Sequence, residues 1–335
     1  MWYEMGSAER DVVLSTRARF ARNVKDYPFD LSCMPKVRDE LVKRVQNAAN
    51  GVLQSIEMER LTQVERLALC EEHVISPAFM DEGSGLLLCD REKGVFIMTP
   101  EEDHIRLQVI GGGFVPNEVL ERGLEFVSKL QSGMQFSYDE EWGYLTHCPT
   151  NLGAALRLSA MVFLPGIVME NRISTLSNSL AGLGYNLRGM YGEGSESKGC
   201  LFQISNRYSL GAEPRTVASS FISVMERVIE LERRSRSALV GDSLSDTAGR
   251  AYGTLRYCCK ISYDEFLTHY ANLRLAMCQY SDLPYKMELN VLDGLLVGCA
   301  PGMLTKVYDC HGSRERDKAR AEYIQSVFGK VRNME

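Results

Sequence analysis

The stretch LSTRARFARN gathers Arg17, Arg19 and Arg22 within six positions. In a strand, Arg17 and Arg19 at i and i+2 point to one face, so two planar guanidinium forks can meet a single anion. Phosphate suits that geometry, although a solvated edge strand would carry the same residues. Three other segments bear on the choice. TPEEDHIR sets Glu101, Glu102, Asp103, His104 and Arg106 between two strand-like runs. THCPTNLGAALR puts Cys148 ahead of a turn and Arg157 on the strand beyond it. RGMYGEGSESKGC joins Arg188 and Glu193 with Gly189, Gly192, Gly194 and Gly199. Taken singly, each has a plainer explanation: a polar loop, a buried small cysteine, a glycine-loosened turn. Taken together, they offer cations for a polyanion and carboxylates that could hold a cation or accept a proton.

The background against which these clusters stand is acidic. Among 335 residues the formal charge is -6, so there is no general pull toward nucleic acid or an anionic membrane, and a polyanion site must come from arginines that converge locally. The ten cysteines contain no C-x-x-C pair, which points away from a zinc site or a disulfide framework and toward a reduced, cytoplasmic setting. The opening MWYEMGSAER lacks the regions of a signal peptide. The apolar run LSAMVFLPGIVM is cut by Pro165 well short of the roughly 20 residues a membrane span needs. Standard nucleotide motifs fail: in GEGSESKG, Ser197 and Gly199 flank Lys198 where a Walker loop needs Gly and Ser or Thr. No G-x-G-x-x-G sits between strand and helix, and no H-R-D or D-F-G kinase signature occurs.

The elements that must position these groups are readable from periodicity. Two helices are expected between Pro35 and about Ile75, in VRDELVKRVQNAANGVL and LTQVERLALCEEHVI. GLLLCDREKGVFIMT predicts two strands around a turn, and HIRLQVI another strand stopped by Gly111 to Gly113. PNEVLERGLEFVSKL predicts a helix, whereas WGYLTHC, ALRLSAMVFL, YNLRGMY and CLFQISN are strand-like. One helix is expected over GIVMENRISTLSNSLAGLG, closed by Gly184. A long amphipathic helix follows in RTVASSFISVMERVIELERRSRSALV, and everything after Gly241 predicts more helices. The chain therefore divides near residue 238 into a mixed α+β part, 1–238, and an all-helical part, 239–335.

STRARFARN, EEDHIR, CPTNLGAALR and RGMYGEG, in this order and at these distances, resemble the phosphagen kinases, the ATP:guanidino phosphotransferases that include arginine and creatine kinase. The resemblance runs over roughly residues 11 to 235 and includes QISN at 203–206. It departs from the metabolic members in lacking a helical domain ahead of Ser15. It also adds a C-terminal region whose R-D-x-x-R-A pattern, at Arg316, Asp317, Arg320 and Ala321, is similar to that of bacterial protein-arginine kinases of the McsB type. Pro100 replaces the usual Asn before the two glutamates, and Met190 the usual Thr after Arg188-Gly189.

That resemblance implies a phosphagen-kinase-like, glutamine-synthetase-like antiparallel sheet flanked by helices, followed by a helical domain for dimerisation and phosphoarginine binding. It implies that Arg17, Arg19, Arg106, Arg157 and Arg188 grip ATP with Mg2+, that His73 packs near the adenine, and that no metal is held by the protein itself. Glu193 would act as general base, Glu102 would hold the substrate guanidinium, and Cys148, as a thiolate, would sit beside it. Arg22, followed by Asn23, would serve structural pairing. Arg316, Asp317 and Arg320 would form a second, activating pocket for phosphoarginine. The reaction implied is transfer of the ATP γ-phosphate to arginine side chains of proteins, marking them for a Clp-type unfoldase and protease. A zinc-binding activator protein, a heat-shock repressor and a second copy of the chain are the partners it suggests. The rival readings are a metabolic arginine kinase acting on free arginine and an inactive phosphoarginine-binding adaptor.

Overall fold

Along VLSTRARFAR, strand β1 (Val13–Arg22), Ala18 and Phe20 are buried on one face while Arg17 and Arg19 stand half-buried on the other. β1 is central to the fold. The computed structural model describes residues 1–4, 8–31, 34–49, 53–190, 198–239, 241–285 and 287–332. Within these, β2 (Gln54–Glu57), β3 (Leu86–Asp90), β4 (Val95–Thr99), β5 (Ile105–Gly112), β8 (Leu156–Phe163), β9 (Tyr185–Gly189) and β10 (Leu201–Asn206) join β1 in one sheet. Its order is β2-β3-β4-β5-β1-β8-β10-β9 and every pairing is antiparallel. A separate two-stranded hairpin, β6 (Tyr138–Asp139) and β7 (Gly143–Tyr144), stands beside it.

The two faces of the sheet differ, and the alternation of side chains dictates how. Phe20, Leu107, Val109, Leu158 and Ile204 point to a face covered by α1 (Pro35–Ala48), α4 (Pro116–Gly133), α5 (Pro165–Met169), α6 (Ile173–Gly182) and α7 (Pro214–Ser237). α4 comes closest: a Cβ on Gly123 would lie 2.2 Å from the Phe20 ring, so glycine lets the helix seat directly under β1. On the opposite face, the flanks are apolar and the middle is not. Phe96, Met98, Ile110, Phe163 and Leu201 form a second core with helices from the C-terminal half. Those helices are α8 (Asp242–Tyr257), α9 (Tyr263–Gln279), α10 (Leu289–Gly298), α11 (Pro301–Tyr308) and α12 (Ser313–Arg332). Between the flanks lie Arg17, Arg19, Arg106, Gln108, Arg157 and Ser159, at positions where an apolar residue would otherwise be expected.

The remaining helices, α2 (Gln63–Glu71) and α3 (Pro77–Glu82), border this polar strip. A capping box starts α2, with Thr62 accepting from the Glu65 amide at 3.2 Å and the Glu65 carboxylate accepting from the Thr62 amide at 2.8 Å. Ser76 caps α3 and Pro77 opens it.

Some elements differ from the sequence reading. The single helix expected over GIVMENRISTLSNSLAGLG is two, α5 and α6, because Asn171 turns the chain with φ 56°. The helix expected to run on through NGVL ends at Ala48, and β2 follows it. WGYLTHC contributes only the two residues of β7 before becoming a loop. No single helix among the described residues is long and apolar enough to cross a membrane.

Candidate active site

Five arginines reach the same face from neighbouring strands: Arg106 from β5, Arg17 and Arg19 from β1, Arg157 from β8 and Arg188 from β9. Register sets their proximity. Arg19 is paired with Arg157 on one side and with Gln108 on the other, while Arg17 is paired with Ser159. Like charges directly opposite on a sheet destabilise it, so this arrangement opposes folding unless something anionic offsets it. Serine hydroxyls are the chief protein partners: Arg157 donates to Ser205 Oγ from Nη2 at 2.9 Å and from Nε at 3.2 Å, and Arg17 Nε donates to Ser159 Oγ at 3.4 Å. Among the described residues, Arg106 alone of the five has a carboxylate partner, forming an ion pair with Glu101, which also accepts from Ser76 Oγ at 2.6 Å.

The electrostatic consequence is a set of guanidinium groups held below their ordinary range. Burial, with Arg106 and Arg157 close by, pushes Arg17 down to about 10. Burial also holds Arg19 well below its ordinary range, reinforced by Arg17, Arg106 and Arg157, and it lowers Arg157 beside Arg188 and Arg106. Arg19 Nε is buried without a hydrogen-bond partner among the described residues.

His73 lies where α2 gives way to α3, in the left-handed region with φ 63°. Gln108 pins this turn to the sheet, its Nε2 donating to the carbonyls of His73 at 2.8 Å and Val74 at 2.6 Å. Burial and Arg17 depress His73 to about 4, so it is neutral at pH 7, and its buried Nε2 has no partner among the described residues. The Trp2 ring stands 6.3 Å from it.

Trp2, His73, Gln108 and four of the arginines, Arg17, Arg19, Arg106 and Arg188, line a cavity of about 990 Å³ roofed from the C-terminal half by Tyr263, Asp264, Leu296 and Pro301. Trp2 Nε1, Arg19 Nε and His73 Nε2, buried without partners among the described residues and beside arginines that repel one another, fit a nucleoside triphosphate: the arginines suit its phosphates and the neutral His73 its base. A second cavity of about 190 Å³ holds Glu102 and Cys148 with Arg157. Arg19 and Arg106 line both. Glu102 is exposed, and Cys148 Sγ lies 3.0 Å from Thr150 Oγ1. The cavities thus place a carboxylate and a thiol on one side of a shared pair of arginines, and a long nucleotide-sized space on the other.

The sequence-derived site residues therefore largely converge. Glu193 lies outside the described residues. Arg22 lies on the helix-covered face instead, 3.6 Å above the Tyr144 ring and donating to Ala154 and Ala155 carbonyls. Its neighbour Asn23 joins Asp103 and His104 in a buried network: Asn23 donates to Asp103 at 2.8 Å and accepts from the His104 amide at 2.9 Å. The Arg316, Asp317 and Arg320 group needs correction. Arg320 is only 2% exposed and donates to Cys299 O, Ile261 O and Asp317 Oδ1 at 2.8–2.9 Å, so it fastens the chain ahead of α9 to the end of α10 and does not face a ligand. Arg316 and Asp317 remain partly exposed. Sequence reasoning missed Gln108, Ser159 and Ser205, although their alternation with Arg106, Arg157 and Gln203 in IRLQ, LRLS and FQIS marks the same face. Trp2 and the C-terminal roof carried no such signal.

Comparison with known proteins completes the description. Residues 34–235 match the family described as ATP:guanido phosphotransferase, C-terminal catalytic domain, and residues 241–335 match that described as Protein-arginine kinase McsB C-terminal domain. A protein-arginine kinase of Brevibacillus brevis is 35% identical over 350 residues, covering 100% of this chain and 96% of that protein. One from Halothermothrix orenii is 36% identical, covering 97% and 95%. Among solved structures, the duplicated taurocyamine kinase from Schistosoma mansoni with bound transition state analog components superposes with a TM-score of 0.61 at 21% identity, covering 76% of this chain. This chain spans 39% of that duplicated protein. Lombricine kinase superposes with a TM-score of 0.59 at 22% identity, covering 68% of each chain.

Proposed function

Because the chain belongs to the ATP:guanido phosphotransferase family, on its protein-arginine kinase branch, we propose that its sheet arginines hold ATP while its carboxylates present a protein's arginine side chain to it. The observation that carries this division is the sharing of Arg19 and Arg106 by both cavities. A group passing from one cavity to the other would meet those two guanidinium groups, which can compensate charge on a transferring phosphoryl.

ATP supplies the γ-phosphoryl group. Arg17, Arg19, Arg106, Arg157 and Arg188 bind the phosphates, and the neutral His73 packs by the base. Mg2+ would be carried on the phosphates. A guanidinium titrates above about 12 and is a poor nucleophile while fully protonated. Glu102 clamps it by hydrogen bonds, Cys148 lies against the same group, and Glu193 takes the proton from the attacking nitrogen as the N–P bond forms and the bond from the γ-phosphorus to the bridging oxygen breaks, releasing ADP. The protein's contribution is orientation and charge, since phosphoryl transfer asks little covalent chemistry of it.

Further out, we propose that Arg316 and Asp317 form the phosphoarginine-responsive pocket. Modified proteins would pass to a Clp-type unfoldase and protease, with a zinc-binding activator and a heat-shock repressor among the chain's partners and a second copy of the chain at its helical half. The test is direct: ATP consumption with casein as acceptor, followed by detection of acid-labile phosphate on arginine. Glu193→Gln should reduce that signal by about 100-fold or more. Modification of free arginine with none on casein would overturn the protein substrate.

A further inference from the structure

Exposed apolar side chains stand at and beside the small, largely polar cavity. Tyr208, which lines it, is 62% exposed, and Trp142 and Leu210 are 46% and 50% exposed. They come from two segments, Trp142 from the β6–β7 hairpin and Tyr208 and Leu210 from the turn after β10, that the backbone locks together. Gly143 bridges to Gly153, and Gly153 bridges to Ser209. The Tyr144 amide donates to Gly153 O at 2.8 Å, and the Ala154 amide to Ser209 O at 3.1 Å. Gly153 has φ 95°, and a Cβ there would lie 2.3 Å from Ser209 O and 2.5 Å from the Leu210 Cα. The segments around 143, 153 and 209 are thus in backbone contact, which brings the positions of Trp142, Tyr208 and Leu210 near one another, with Tyr208 at the same cavity as Cys148 and Asn151.

Large apolar groups left bare at the mouth of a charged cavity mark an interaction surface, and Trp and Tyr are rigid side chains that bind at small entropic cost. A guanidinium drawn in toward Glu102 must be followed out of the cavity by the chain that bears it. We propose that Trp142, Tyr208 and Leu210 form a docking ledge for the residues flanking the target arginine, selecting extended segments in which that arginine has apolar neighbours. Such segments are covered in folded proteins and bare in unfolded ones. Arg207, exposed at the same cavity, makes basic flanking residues unfavourable. The inference rests on the protein-arginine kinase reading and narrows its substrate.

Two matched peptides test it, each with a single arginine, one flanked by Leu and Phe and the other by Ser and Gly. The full chain should favour the apolar peptide by about tenfold or more in kcat/KM, mainly through KM. Trp142→Ser combined with Leu210→Ser should remove that preference while leaving turnover of the Ser-flanked peptide and the KM for ATP unchanged, which also reports that the variant is folded. Trp142→Phe should restore part of the preference. Equal kcat/KM for the two peptides, or a preference undiminished in the double variant, would overturn the ledge while leaving the kinase reading intact. No phosphorylation of either peptide or of casein would overturn both.

Discussion

Arg19 meets Arg157 across the β1–β8 ladder and keeps a buried Nε without a partner among the described residues. Its position serves ligand binding at the expense of the empty fold. Arg19→Gln should therefore raise the unliganded stability by about 1 kcal/mol, abolish the rise in melting temperature on adding ATP, and cut turnover by at least about 100-fold. Thermal denaturation with and without nucleotide reads all but the last; a variant that melts lower than the parent without ATP would contradict the account. His73 makes a pH-dependent prediction. Its folded pKa of about 4 lies below the ordinary 6.5, so between these values the unfolded chain binds a proton that the folded protein refuses. Stability should fall as pH drops from 6.5 to 4, and His73→Gln should flatten that slope in urea titrations at stepped pH.

At the scale of elements, the link between the two halves is a helix end. Glu71, at the close of α2, accepts from the Gly302 and Met303 amides at 2.8 Å each, supplying the first turn of α11 with a carboxylate from a distant part of the chain. Glu71→Ala should cost about 1–2 kcal/mol in urea unfolding, and Glu71→Gln less, because one acceptor remains. Glu71 also lines the nucleotide cavity and feels Arg316 and Arg320 through space, so the same variants should weaken ATP binding. Little of this link was legible beforehand. What the sequence does carry is local alternation: RAR, IRLQ, LRLS and FQIS place their polar residues on one face, so the arginine strip could be read from spacing. A carboxylate that caps a helix over 200 positions later has no local signature, nor does Asn171, whose left-handed turn splits one apolar run into α5 and α6. Arg316, Asp317 and Arg320 share a helical spacing, but only tertiary packing shows that Arg320 is consumed by carbonyls.

The whole molecule is held by a second core that belongs to neither half alone: Leu14, Phe96, Ile110 and Phe163 of the sheet pack with Leu267, Leu295 and Ile324 of the helices. Within it, Arg274 and Asp293 form a fully buried ion pair at 2.9 Å, and Arg274 also donates to the Arg10 carbonyl at 2.7 Å, tying the segment ahead of β1 to α9 and α10. Asp293→Asn, which leaves Arg274 charged and buried, should destabilise by about 3–5 kcal/mol, read as a large fall in melting temperature. The roof over the nucleotide cavity has one more consequence. Severing the chain after residue 238 would produce no miniature kinase, because the piece with every sheet arginine would surrender its ceiling and leave an oily flank facing water. Supplied as two fragments, the halves should reassemble, and nucleotide should act as mortar between them.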